Sequence, residues 1–143
     1  MKPIASLLAV AAVAAVAALA ACSSGEILFP NARNLAGMWV AWEFTVTDST
    51  GTRDFAGGGN QFTLVLDPNG TVTGHLHLIG AGEGGADVDA DMAGTWKLDH
   101  WTITFEQAAD TFVRDTDFRF DQAYLRADFV SNGTTVHIRM IRA

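Results

Sequence analysis

Two histidines and three aspartates stand at alternate positions in two neighbouring segments. One residue separates His75 from His77, and the same spacing separates Asp87, Asp89 and Asp91. If both segments are strands of one hairpin, the imidazoles lie opposite the carboxylates, and such a donor set suits zinc or another divalent ion. Alternate polar residues are also typical of the solvent side of a one-sided sheet. We therefore expect no metal and no cofactor, and keep His75, His77, Asp87 and Asp89 as candidate ligands.

Other motifs that often carry chemistry lack the context they need. Gly80–Gly85 has the G-x-G-x-x-G spacing, but strand-like alternation follows it where a pyrophosphate site needs a helix. From residue 23 onward the serines are Ser23, Ser24, Ser49 and Ser131, and none stands in a Gly-x-Ser-x-Gly turn. We expect a hairpin loop at the glycines and no enzymatic activity.

The composition limits the classes of function. The 143 residues are 49% apolar and 17% charged, which is enough for one core and one domain. The formal net charge of -7 repels a phosphate backbone, so we expect no nucleic-acid partner. The single cysteine permits neither an internal disulfide nor a multi-cysteine metal cluster.

The start of the chain is typical of a signal for export. A positive start at Lys2 precedes an almost wholly apolar run from Ile4 to Ala21. A cleaved secretory signal and an uncleaved transmembrane helix both have such a run.

The end of that run favours a third interpretation. Leu19-Ala20-Ala21-Cys22 resembles the lipobox of bacterial lipoproteins. The resemblance implies that Cys22 is acylated, becomes the new N-terminus and attaches the protein to the membrane of the cell envelope. In two-membrane bacteria, Ser23 implies the outer membrane. We therefore expect a signal peptide at 1–21, a polar tether at 22–33 and a folded domain at 34–143.

Beyond Asn34 apolar and polar residues alternate with period two, between turn signals about ten residues apart. This pattern predicts an all-β fold. Sequential antiparallel hairpins close most easily as a single small up-and-down barrel, here with eight strands. The predicted strands are 37–47, 61–66, 71–79, 87–97, 101–106, two within 112–130 that divide near Asp121 or Gln122, and 134–142.

Three details of these strands are predictions in their own right. Gly94 is expected to form a bulge or bend. Trp39 and Trp42 fall on opposite faces, so either a bulge lies between them or one aromatic set is exposed. The charged residues of the last three strands are expected to face outward, with opposite charges side by side on adjacent strands.

One phrase occurs twice, at the start of the first strand and in the fourth. Leu35-Ala36-Gly37-Met38-Trp39 returns as Met92-Ala93-Gly94-Thr95-Trp96. With the other short motifs of the domain, this phrase resembles small bacterial lipocalin-like (calycin-type) lipoproteins. The residues that carry the resemblance are Gly37–Trp39, Phe62–Leu64, Asn69–Thr71, Gly94–Trp96 and Arg142.

The resemblance implies how the barrel closes. Gly37, Trp39, Gly94, Trp96 and Arg142 are the expected closure residues, with the Arg142 side chain packed across the indole of Trp39. Such a cation–π contact contributes about 0.5–2 kcal/mol. Arg139 is the alternative partner of Trp39.

The resemblance also implies a function. An eight-stranded interior either is filled by side chains or holds one small ligand. We expect a monomeric envelope lipoprotein that binds a small apolar or amphipathic molecule; the alternative is a filled barrel that serves as a structural or protein-interaction module at the cell surface. The expected ligand-lining residues are Phe62, Leu64, Trp101, Ile103, Phe105, Phe118, Phe120, Phe129, Ile138 and Met140.

Overall fold

The computed structural model describes residues 30–107 and 113–143, and most of these belong to one antiparallel sheet. The predicted signal peptide, Cys22 and the tether up to residue 29 lie outside the described residues. Within the described part, no helix is long and apolar enough to cross a membrane. The elements are α1 (Ala32–Leu35), β1 (Gly37–Asp48), β2 (Gly51–Asp54), β3 (Gln61–Leu66), β4 (Thr71–Leu78), a 3-10 turn (Glu83–Gly85), β5 (Val88–Asp99), β6 (Thr102–Gln107), β7 (Phe118–Asp121), β8 (Tyr124–Ser131) and β9 (Thr134–Arg142).

The sheet closes on itself as an eight-stranded up-and-down barrel. From β3 to β9 each strand pairs with the next in the chain, and β1 pairs with β3 on one side and β9 on the other. This confirms the predicted all-β barrel. The short strand β2 is additional: it forms a hairpin with the last residues of β1, Thr45 to Asp48. The sequence does not reveal β2, because all four of its residues are exposed and none alternates with an apolar neighbour.

Turn chemistry and one close approach explain the local register. Asn132 and Gly133 both have positive φ, as a two-residue hairpin turn between β8 and β9 requires. Gly74 is confined by packing: a Cβ there would lie 2.4 Å from the carbonyl oxygen of Thr63 on β3. Gly133 is therefore favoured by its positive φ, and Gly74 by the lack of space for a side chain.

Two predictions about irregular strands had opposite outcomes. In β1 the register with β9 shifts between Ala41 and Glu43, so a bulge separates the two tryptophans. Trp39 points into the barrel and Trp42 points out of it, and Phe44 returns to the interior. Of the bulge or bend expected at Gly94, the bulge is wrong, because the pairing of β5 runs through Gly94 to both neighbours without a shift. Gly94 is accommodated as an ordinary strand residue.

The lower part of the barrel is filled in two layers of aromatic rings. At the end where β1 starts, Phe120 packs edge-on to Trp39 at 6.1 Å and stacks with Trp101 at 6.3 Å. Above this layer, Phe118 contacts Phe62 and Phe105 with centroids 6.4 and 5.4 Å apart. Buried aliphatic residues, among them Leu64, Ile138 and Met140, fill the space between the rings.

The expected closure contact forms the base of this packing. The Arg142 guanidinium lies 5.1 Å from the centroid of the Trp39 ring and donates to the carbonyl of Asn34. The Trp39 indole N–H donates to the carbonyl of Leu35 in α1, at 2.9 Å. Arg139 instead lies beside Glu43, 3.8 Å away, on the outer surface. We call this end of the barrel the closed end.

The second copy of the repeated phrase also lies near the closed end. The Trp96 indole N–H donates to the carbonyl of Asp67 at 2.9 Å, and the Trp96 amide donates to Gly70. The indoles of Trp39 and Trp96 therefore each link a strand to a neighbouring segment through a hydrogen bond to a backbone carbonyl.

We expect Arg142→Met to lower the free energy of unfolding by about 0.5–2 kcal/mol, because methionine keeps most of the packing over Trp39 but loses the cation. Urea denaturation measures the change. Arg119→Met, at an exposed position on β7, is the control. Equal losses in the two variants would contradict a specific role of the Trp39–Arg142 contact.

Candidate ligand cavity at the open end of the barrel

The opposite end of the barrel is not filled. A cavity of about 550 Å³ lies between β1, β2, β4, β5, β8 and β9. Its floor includes Phe44, whose ring contacts Phe55 at 5.8 Å and Phe62 at 6.0 Å. The apolar lining residues are Phe44, Val46, Phe55, Leu76, Leu78, Ala81, Val88, Ala90, Phe129 and Val136.

On β5 and β9 the inward side chains become small toward this end, which leaves space for the cavity. On β5 the inward residues are Met92, which is buried in the core, and then Ala90 and Val88, which line the cavity. On β9 the residue facing the cavity is Val136, above the buried Ile138. Valine and alanine leave space where phenylalanine and tryptophan fill the lower barrel.

Arg53 crosses the mouth of the cavity. Its guanidinium lies 5.4 Å from the centroid of the Phe55 ring, and its Nη1 donates to the carbonyl of Gly80 at 3.1 Å. The side chain therefore joins the β1–β2 hairpin to the loop between β4 and β5. Arg53 and Asp89 are the polar residues that line the cavity.

Several carboxylates also lie at this end of the barrel. The pKa of Asp48 is held below its usual value mainly by the side-chain hydrogen bond from Thr50, then by the Thr50 amide. Asp54 accepts a hydrogen bond from the amide of Ala56, and Asp87 accepts one from the amide of Gly80. The rim is thus acidic, with one arginine reaching across it.

The candidate metal ligands form two separate pairs. Nδ1 of His75 lies 2.9 Å from Asp91, and Nδ1 of His77 lies 2.8 Å from Asp89. Asp87 is engaged by the loop and does not join either pair. Among residues 30–107 and 113–143, no three His, Cys, Asp or Glu side chains are grouped so as to hold a metal ion.

Of the ten expected ligand-lining residues, only Phe129 lines the cavity. Trp101 is half-buried at the closed end, and the other eight are buried in the packed core. The expected residues other than Phe129 do not line the cavity, because rings from opposite strands meet in the lower barrel and leave no room between them. The residues that the expectation missed include small ones, such as Ala90 and Val88, and larger ones, such as Leu76, Leu78 and Phe55.

Comparison with known proteins gives the following likenesses. No protein-family model and no curated protein matches the chain. The chain is similar to the crystal structure of a lipocalin-like protein from Bacteroides uniformis ATCC 8492, with 13% identity, a TM-score of 0.40, and coverage of 73% of this chain and 96% of that one. It is also similar to an uncharacterized protein from Bacteroides eggerthii DSM 20697, with 11% identity, a TM-score of 0.40, and coverage of 74% and 98%. The assignment of the barrel itself follows from its strand pairing.

We expect Arg53→Gln to loosen the loop between β4 and β5, because glutamine cannot keep both the Phe55 contact and the Gly80 hydrogen bond. Losing about 1 kcal/mol of local stability raises amide exchange about fivefold. Hydrogen exchange at Gly82, Gly85 and Ala86, whose amides are bonded within the loop, measures the effect. Arg119→Gln, near the closed end, serves as the control; unchanged exchange in Arg53→Gln contradicts the role of Arg53 at the mouth.

Proposed function

We propose that this protein is a lipid-anchored lipoprotein of the cell envelope, and that its lipocalin-like barrel binds one small apolar or amphipathic molecule at the open end. The observation that carries the binding role is the cavity above Phe44. Ligand sites of this kind typically enclose about 300–1,000 Å³, with mostly apolar walls and a few polar groups. A cavity of about 550 Å³ with ten apolar and two polar lining residues fits that description.

The shape of the site favours a ligand that is only partly enclosed. The aromatic layer of Phe62, Phe105 and Phe118 blocks the lower barrel. A bound molecule therefore places its apolar part above Phe44 and its polar part at the rim, beside Arg53 and Asp89. Such a ligand binds in place of water that the apolar walls hold poorly.

A second candidate is the filled barrel that acts as a structural or protein-interaction module. The packed lower barrel supports it, since most inward aromatic residues contact one another and leave no space for a ligand. The two candidates differ in whether the cavity holds a ligand when the protein is purified from cells. Native mass spectrometry of protein purified without its acyl anchor, followed by solvent extraction, distinguishes them: a bound lipid-like mass favours carriage, and a clean apoprotein favours the module.

The anchor is supported by the sequence. Leu19-Ala20-Ala21-Cys22 ends an apolar export signal, and a cysteine in that position is the acylation site of bacterial lipoproteins. Several acyl chains on Cys22 hold a protein firmly, since each buried methylene adds about 0.8 kcal/mol. Ser23 favours the outer membrane. We propose a monomer with a binding role rather than a catalytic one.

We expect Ala90→Trp to weaken binding of a fluorescent fatty-acid probe by about tenfold or more, a loss of about 1.4 kcal/mol, because the indole occupies the cavity. Probe titration measures the change. Ala93→Trp places the same side chain at an exposed position on the same strand, so probe affinity is retained. If the two variants bind equally, or if the wild type binds no probe, the cavity is not the binding site.

We expect Cys22→Ser to abolish acylation, because serine has no thiol on which the thioether-linked diacylglyceryl group can form. The intact mass of the purified protein measures the change. Ser23→Thr, next to the cysteine, leaves the acylation site intact and serves as the control. If the intact mass of the wild-type protein shows an unmodified Cys22, the proposed lipid anchor is wrong.

A further inference from the structure

Most of the exposed large apolar side chains lie together on the outside of the barrel. Seven such side chains are exposed in the described part of the chain, and five of them share one face. The two others, Ile79 and Val130, lie toward the open end. The five residues, which we call the apolar face, are Met38, Trp42, Val65, Tyr124 and Ile141.

Strand register makes this face continuous. Val65 of β3 is the cross-strand partner of Met38 on β1, and Ile141 of β9 is the partner of Tyr124 on β8. The bulge in β1 turns Trp42 outward, with its ring 6.2 Å from that of Tyr124. A patch that spans four adjacent strands exceeds the scattered apolar residues of an ordinary surface.

Cations border the apolar face. The register places Arg119, Arg126 and Arg139 side by side on β7, β8 and β9. The expectation that adjacent strands present opposite charges is therefore wrong for this row. Asp121 lies 3.6 Å from Arg126 and Glu43 lies 3.8 Å from Arg139, so carboxylates partly balance the row from its sides.

The face also lies where the folded chain begins. The amide of Ala143 donates to the carbonyl of Met38, and Arg142 donates to the carbonyl of Asn34, just after the start of α1. Pro30 follows Cys22 by only eight residue steps. Fully extended, they span at most about 28 Å, so an anchor at Cys22 keeps the closed end of the barrel near the bilayer.

We propose that the apolar face rests on the lipid bilayer, with Trp42 and Tyr124 at the level of the headgroups. Tryptophan and tyrosine favour that region, because their rings have an apolar body and a polar edge. Arginines beside them attract anionic lipids, and charges farther away are screened beyond about 8–10 Å. The proposal rests on the anchor at Cys22, which supplies the proximity.

This orientation keeps the acidic rim away from the bilayer. The acidic rim formed by Asp48, Asp54, Glu83 and Asp87 lies at the opposite end. An anionic bilayer repels that rim and attracts the arginine row. The mouth of the cavity then faces the aqueous side, where a ligand or its donor reaches it.

The test attaches the mature chain to vesicles chemically. Its single cysteine, Cys22, is coupled to a maleimide lipid in vesicles of brominated phosphatidylcholine and phosphatidylglycerol. Bromine quenches tryptophans that enter the bilayer. Trp39 and Trp96 are buried in the protein, and the half-buried Trp101 is changed to phenylalanine in every protein compared. We expect quenching and a shift of emission to shorter wavelength, both lost in Trp42→Phe.

A matched pair of double variants separates the face from exposed apolar residues in general. Met38→Glu with Ile141→Glu places charge on the apolar face and abolishes the quenching of Trp42. Ile79→Glu with Val130→Glu adds the same charge near the open end and retains it. Circular dichroism melting confirms that both double variants are folded.

Three outcomes overturn the proposal: wild-type Trp42 that bromolipid does not quench, equal quenching in the two double variants, or a dimer in sedimentation without vesicles that Met38→Glu with Ile141→Glu dissociates. The last outcome assigns the face to a second copy of the chain. Because the lipid is attached chemically, failure here does not bear on whether the cell acylates Cys22, which the mass of the cellular protein decides.

Discussion

The position of the Trp39 indole controls how the barrel closes. Three groups hold it: the Leu35 carbonyl accepts its N–H, the Arg142 guanidinium covers one face, and the edge of Phe120 meets the ring. These partners come from α1, the last strand and β7. Pairing β1 with β9 joins the most distant strands in the sequence and carries the largest cost in chain entropy. The indole concentrates favourable contacts at the point where that pairing starts.

The interior is divided into a filled part and an open part. Rings such as Trp39, Phe120 and Phe118 meet across the lower barrel, whereas the cavity above Phe44 is lined by small side chains such as Ala90 and Val136 together with larger ones such as Phe129. The surface has a corresponding polarity. A row of three arginines and the exposed aromatic side chains lie toward the closed end, and Asp48, Asp54 and Asp87 lie around the mouth. A cavity at one end and an attachment to the membrane at the other are therefore compatible in one small barrel.

Local sequence patterns predicted the strands of the barrel, because alternation and turn chemistry depend on residues that are neighbours in the chain. Period-two alternation determines which residues of a strand face inward, and Asn-Gly turns such as Asn132-Gly133 join neighbouring strands. Those signals gave the eight barrel strands and the division near Gln122. They missed β2, whose four residues are all exposed, and they suggested a bulge at Gly94 because glycine in a strand indicates one without requiring it. The sequence patterns also did not predict the row of three arginines, because its alignment depends on the register of three strands.

The sequence by itself determined the class of fold, the number of barrel strands and the inward side of each strand, because alternation and turn chemistry are properties of neighbouring residues. It also indicated the pair formed by Trp39 and Arg142, through the resemblance of short motifs. Only the tertiary structure decided where space remains. Phe62 and Ala90 both face inward, yet only Ala90 lines the cavity, because whether an inward side chain meets another or faces empty volume depends on residues from the opposite wall.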